Sequence, residues 1–98
     1  MKFRSLRCTL VFVGAPCCAA AVQATLEQID VTRAMVARYP QAFEMAGTAA
    51  DIRRIHKAGR VASLIGVEGG HQIADSLAVL RQYYELGARY MTLTHTRN

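Results

Sequence analysis

The 98-residue chain has no tryptophan, only two prolines and three cysteines, and no acidic residue in its first 24 positions. Cys8, Cys17 and Cys18 all fall in that first stretch, so the remaining 74 residues contain none. An odd count with an adjacent pair is not a disulfide framework. Without a C-x-x-C spacing a structural zinc ribbon is excluded as well. Packing, not cross-linking, has to hold the body together. The lack of tryptophan and the scarcity of aromatics (7%) also argue against a nucleic-acid binder, although the net charge is +5 and the pI near 9.6. Lys2, Arg4 and Arg7 stand unopposed near the N-terminus, which leaves nine basic against seven acidic residues elsewhere, a net of only +2. Such a balance offers no basic stripe for phosphates, and no nucleic-acid partner is expected. A hydrophobic fraction of 52% against 19% charged excludes intrinsic disorder.

Residues 1–24 have the pattern of a secretory signal: a basic start, an apolar run from about Leu10 to Val22, and a small-residue site ending at Ala24. Gly14 and Pro16 interrupt the run, which is short for a membrane span. The alternative is a leader unrelated to the body. The expected organisation is therefore a leader over 1–24 and a partial α/β domain over 25–98. Export, or membrane association, is expected if the leader acts as a signal, and a cytoplasmic location otherwise.

In the body, Val22, Leu26, Ile29 and Val36 share one helical stripe, and Pro40 ends that helix near Tyr39. Gln41–Gly47 reads as a connector anchored by Phe43 and Met45. Thr48-Ala-Ala-Asp51 has the spacing of a capping box, opening a short helix with Ile52 and Ile55 inward and Gly59 as its stop. Val61–Val67 is an apolar run of strand length without alternation, as in a parallel strand buried on both faces. A further helix is expected from about Asp75 to Leu86, with Leu77, Leu80 and Tyr84 inward, and a final strand over Tyr90–Thr94. The order helix–helix–strand–helix–strand is that of an α/β protein. Two strands under three helices make a poor free-standing domain, so a segment of a larger sheet or barrel is expected.

Parallel strands present their C-terminal ends on one face, where α/β proteins gather their chemistry. Glu68 follows the first strand and His95 the second, 27 positions apart. A carboxylate there can ligate a metal, and an imidazole can ligate or donate to developing charge. Gly69-Gly70 allows close backbone approach and opens towards a helix N-terminus, a setting that favours anions. Taken singly, each residue also has an ordinary structural reading. A glutamate after a strand is often a solvated loop residue, and His95 could bond to backbone. His71 reads as flanking the following helix and His56 as a surface residue. Tyr83-Tyr84 reads as helix packing.

The stretch VASLIGVEGGHQIADSLAVLRQYYELGARYMTLTHTRN resembles the membrane dipeptidase (renal dipeptidase) family of zinc metallopeptidases. The resemblance rests on the V-E-G-G-H turn, the L-G-x-R-Y segment and the closing T-L-T-H. It extends upstream through AVQATLEQIDVTRAMVARYPQAF and DIRRIHKAGR, covering about residues 20–98. It implies a TIM-type α/β barrel of the metal-dependent-hydrolase kind, with two zinc ions at its C-terminal face and dipeptides hydrolysed through metal-bound hydroxide. By position, Glu68 matches the carboxylate that bridges the two zincs. His95 matches the histidine that contacts substrate and stabilises the oxyanion. The family's His-x-Asp pair, two later histidine ligands and a downstream aspartate have no counterpart here. The chain is thus expected to be a fragment of a zinc dipeptidase, inactive alone. The alternative is a small exported interaction module derived from such a gene. Homo-oligomerisation remains open.

Overall fold

The computed structural model describes residues 8–13 and 18–94. In chain order these form β1 (Cys8–Val13), α1 (Cys18–Arg38), β2 (Phe43–Met45), α2 (Ala49–Lys57), β3 (Val61–Glu68), a 3₁₀ turn (Gly70–Ile73), α3 (Leu77–Glu85) and β4 (Ala88–Thr92). All strand pairs are parallel, and β3 is the strand to which the other three pair. β1 runs along it from Cys8↔Ala62 to Val13↔Val67. β2 takes its first residues, Phe43↔Val61 to Met45↔Ser63, and β4 its last, ending at Glu68↔Thr92. The parallel α/β arrangement expected from the sequence is present.

β3 is central because its sequence allows burial on both faces: Ala62, Ser63, Ile65, Gly66 and Val67 are all buried. Ile65 and Val67 join Ile29, Tyr83 and Ala88 in the main core, while Ala62 packs with Ile55 and Ala46 in a second cluster under α2. Fully burying side chains of the size of Ile65 or Ile55 contributes about 1.5–3 kcal/mol each.

The sheet has two strands more than the sequence reading expected. β1 lies inside the stretch read as a leader, as do the first turns of α1. β2 occupies the expected connector; three residues are too few to display a period. Two helix faces also differ. The buried stripe of α1 is Ala21, Thr25, Ile29 and Thr32, while Leu26 is 39% exposed. Thr32 Oγ1 donates to Gln28 O at 2.8 Å, so a nominally polar residue is satisfied within its own helix and can be buried. In α3 the expected inward residues Leu77, Leu80 and Tyr84 are 63%, 37% and 57% exposed, and Tyr83 is the buried one, at 1%.

α2 forms as its capping box requires. Thr48 Oγ1 accepts the Asp51 amide at 3.1 Å, and Asp51 Oδ2 accepts the Thr48 and Gly47 amides at 3.1 and 3.0 Å. α3 begins at a Ser76 cap and has no basic residue in its last turn. Arginines from outside the helix supply the missing charge, Arg33 Nη1 on α1 donating to Leu86 O and Arg89 Nη1 on β4 to Tyr84 O, at 2.8 and 2.7 Å. Among the described residues no helix is long and apolar enough to cross a membrane.

Candidate active site

Glu68 is the last residue of β3, half-buried, and in register with Thr92 at the end of β4. The chain then turns sharply. Gly69 takes φ +103°, a conformation that side-chain-bearing residues rarely adopt, and donates its N–H to Thr92 Oγ1 at 2.7 Å. Gly70 donates to Leu93 O at 3.2 Å. A Cβ at Gly70 would stand 2.9 Å from that same carbonyl oxygen. The close approach that the glycine pair permits is therefore to the chain's own β4 end. Both N–H groups are engaged there, and the turn opens four residues of 3₁₀ helix, not an α-helix. This corrects the anion-binding expectation.

Behind the turn sits a buried polar network. Gln72 is 0% exposed; its Nε2 donates to Glu68 O at 3.2 Å and its Oε1 lies 2.7 Å from Thr25 Oγ1 on α1. The amide orientation follows from the partners. Glu68 O can only accept, so the nitrogen must face it and the oxygen must face the Thr25 hydroxyl. Thr25 Oγ1 is also 2.7 Å from Ala21 O, and it has a single hydrogen to give. Tyr83 closes the network from α3, its hydroxyl donating to Gln72 O at 2.7 Å. Burial pushes the Tyr83 hydroxyl above its ordinary pKa, partly offset by Thr25 beside it. None of Thr25, Gln72 and Tyr83 was singled out for the site from sequence. No local signal marks a glutamine that will be bonded from a helix 47 positions earlier.

His95 lies outside the described residues. β4 ends at Thr92, not at the expected Thr94, so the residue in register with Glu68 is a threonine. His71 is half-buried in the 3₁₀ turn, and its carbonyl accepts the Ala74 amide. His56 is half-buried near the end of α2, just before β3 begins. β3 has eight residues and is about 25 Å long, which separates His56 from Glu68. That opposite end of the sheet carries a charged cluster instead. Glu44 pairs with Arg60 and, at 2.8 Å, with Arg54, which also stands 3.5 Å from Asp51. The Arg54 guanidinium holds Glu44 below the ordinary carboxylate range, and the Gly47 amide, followed by Thr48, does the same for Asp51.

Among the described residues no group of three His, Cys, Asp or Glu side chains could hold a metal ion. Glu68 fits as one donor, a half-buried carboxylate at the C-terminal end of a parallel strand, the kind of oxygen ligand zinc accepts. Between them, α3 and β4 leave a largely apolar groove of about 430 Å³ that Leu80, Tyr83, Tyr84 and Met91 line together with the charged Arg81 and Arg89; Glu68 is not part of its lining.

The chain is similar to several known proteins. It is 55% identical over 74 residues to Dipeptidase ataJ of Aspergillus terreus, covering 76% of this chain and 18% of that protein. It is 47% identical over 77 residues to Dipeptidase verJ of Clonostachys rogersoniana, covering 79% and 20%. The chain thus spans about a fifth of the length of these relatives. Among solved structures, an amidohydrolase from Pseudomonas aeruginosa matches 93% of this chain and 27% of its own with a TM-score of 0.77; at 21% identity this likeness shows the fold alone. The membrane dipeptidase family, Peptidase family M19, matches residues 3–98, and the chain belongs to that family.

Proposed function

We propose that this chain supplies one wall of a zinc-dependent dipeptidase site in a TIM-type barrel, with Glu68 bridging two zinc ions and His95 contacting the substrate. The observation that carries the reading is the position of Glu68, at the carboxyl end of the strand to which all the others pair, in a chain of the membrane dipeptidase family. When bound, zinc supplies Lewis acidity and lowers the pKa of coordinated water. The chain's own part is to hold the Glu68 carboxylate at a fixed place and, through His95, to donate a hydrogen bond to the oxygen that becomes negative as a dipeptide amide is attacked. One carboxylate does not close a dinuclear site, so the 98-residue chain alone is inactive on dipeptides.

The test uses a chimera in which residues 25–98 replace the homologous stretch of the Aspergillus terreus dipeptidase. Glu68→Ala in that protein should lose zinc and dipeptide hydrolysis together. Full zinc occupancy with normal turnover would refute the bridging role.

A second reading, an exported interaction module, draws on the exposed apolar residues Leu77, Leu80, Tyr84, Tyr90 and Leu93 around α3 and β4. A monomeric, cooperatively unfolding 98-residue product would favour it. An aggregating product favours a segment made to be covered.

A further inference from the structure

We infer that Gln72 is a positioning residue for the Glu68 carboxylate, itself held by Thr25 and Tyr83. The inference rests on the zinc-site reading of Glu68 and deepens it.

Glutamine is costly to bury unless its polar atoms are paired. At 0% exposure, a methionine of similar length would fill the space without that demand. What the amide adds, beside its contact with Thr25 Oγ1, is a bond to the carbonyl oxygen of Glu68. The two residues after Glu68 are glycines and lack a Cβ to limit rotation, so hydrogen bonds carry much of the restraint on the turn. Three groups fix the turn, each held from elsewhere. The Gly69 N–H goes to Thr92 Oγ1, the Gly70 N–H to Leu93 O, and the Glu68 C=O takes the Gln72 amide. Two of these depend on β4. The third depends on Gln72, and so on the helices that fix Gln72: α1 through Thr25 Oγ1 and α3 through Tyr83 OH.

The Glu68–Gly69 peptide plane is held on one side by Thr92 Oγ1, which accepts the Gly69 N–H, and on the other by Gln72. Releasing the Glu68 carbonyl leaves the plane pivoting on the Thr92 bond, and the carboxylate leaves from the Cα at the edge of that plane. Thr25 and Tyr83 never approach the chemistry directly. Thr25 holds the Gln72 side-chain amide and Tyr83 anchors the Gln72 main-chain carbonyl, so a change in either reaches Glu68 through the amide's bond to its carbonyl oxygen. The Tyr83 contact lies on the face that α3 buries.

The experiment has two readouts besides turnover. In the chimera described above, zinc affinity is measured by competition with a chromophoric chelator. In the same chimera, amide hydrogen exchange is followed at Gly69 and Gly70. Gln72→Met should keep the circular-dichroism spectrum, weaken zinc binding about 10–100-fold, and speed exchange at both glycines. Gln72→Glu keeps an acceptor for Thr25 but loses the donor to Glu68 O, so it should resemble Gln72→Met. Thr25→Val should shift both readouts the same way by less. A residue that merely supports folding would lower stability in these variants and leave the zinc affinity of the folded protein unchanged.

Wild-type zinc affinity together with slow Gly69 exchange in Gln72→Met overturns the inference. If that variant does not fold, unchanged values in Thr25→Val overturn it equally. If Glu68→Ala retains its zinc, it is the metal-ligand reading that fails. The exchange rates at Gly69 and Gly70 then decide whether Gln72 holds the turn.

Discussion

Thr92 Oγ1 accepts the Gly69 N–H at 2.7 Å, so the end of β4 fixes the turn that begins at Glu68. The two strands are in register at Glu68 and Thr92, and the glycine that follows is free to take φ +103° and point its N–H across. The candidate carboxylate is thus set by a neighbouring strand 23 residues later as much as by its own.

Gly70 is where this arrangement has least slack. A Cβ would meet Leu93 O at 2.9 Å, and that atom is backbone and cannot swing aside. Gly70→Ala should cost about 1–3 kcal/mol by forced displacement. Gly59→Ala is the control: its φ is +81° but nothing lies within 4 Å, so only backbone strain opposes it, about 1 kcal/mol. Urea unfolding of the dipeptidase chimera measures both. Equal losses would show that the contact with β4 yields freely.

How far the sequence revealed this layout depends on the range of the signal. The Thr48–Asp51 cap, the Gly59 stop and the apolar run of β3 are local patterns, and each is found where the residues place it. The family motif around Glu68 was likewise visible in five consecutive residues. The helix faces were not. Counting apolar side chains assigned Leu26 and Leu77 inward, whereas Thr25 and Tyr83 are the buried residues, because each has a hydrogen-bond partner that burial requires. Those partners come from other elements, and no period in a single sequence reports them.

Tyr83 and Tyr84 are adjacent but should respond differently to mutation. Tyr83→Phe removes a buried bond to Gln72 O and should cost about 1 kcal/mol. Tyr84 is 57% exposed, and its ring lies 4.0 Å from the Arg89 guanidinium carbon. Tyr84→Leu loses that cation–π contact, about 0.5–1 kcal/mol, without disturbing the core. In addition, Tyr83→Phe should accelerate amide exchange in the 3₁₀ turn, which Tyr84→Leu should leave alone. The reverse pattern would mean that the hydrophobic stripe first read from the sequence is the one that packs.

Acid should weaken the sheet end opposite Glu68. Both Glu44 and Asp51 have folded-state pKa values lowered below their ordinary ones, by Arg54 and by the Gly47 amide respectively. Groups of this kind contribute stability above the unfolded pKa, near 4, and lose it as the pH falls through the folded value. Thermal melts between pH 6 and about 2.5 should therefore show a decline beginning near pH 4. Asp51→Asn should flatten part of that decline and lower stability at pH 6, through loss of the helix cap. An identical pH profile in the variant would detach Asp51 from the acid response.

His95 and Glu68 should separate by phenotype in the dipeptidase chimera. A ligand that bridges two metal ions cannot be removed without loss of metal, so Glu68→Ala should give zinc-poor, inactive protein. A residue that only donates to the oxyanion is dispensable for the resting site. His95→Ala should therefore retain zinc while kcat falls about 10²–10³-fold with little change in KM, the signature of a contact made in the transition state. His95→Gln, which keeps a donor, should recover part of that loss. If His95→Ala loses zinc along with activity, the histidine is a ligand, and the two strand ends would both be devoted to holding the metals, with oxyanion stabilisation left to groups elsewhere in the site.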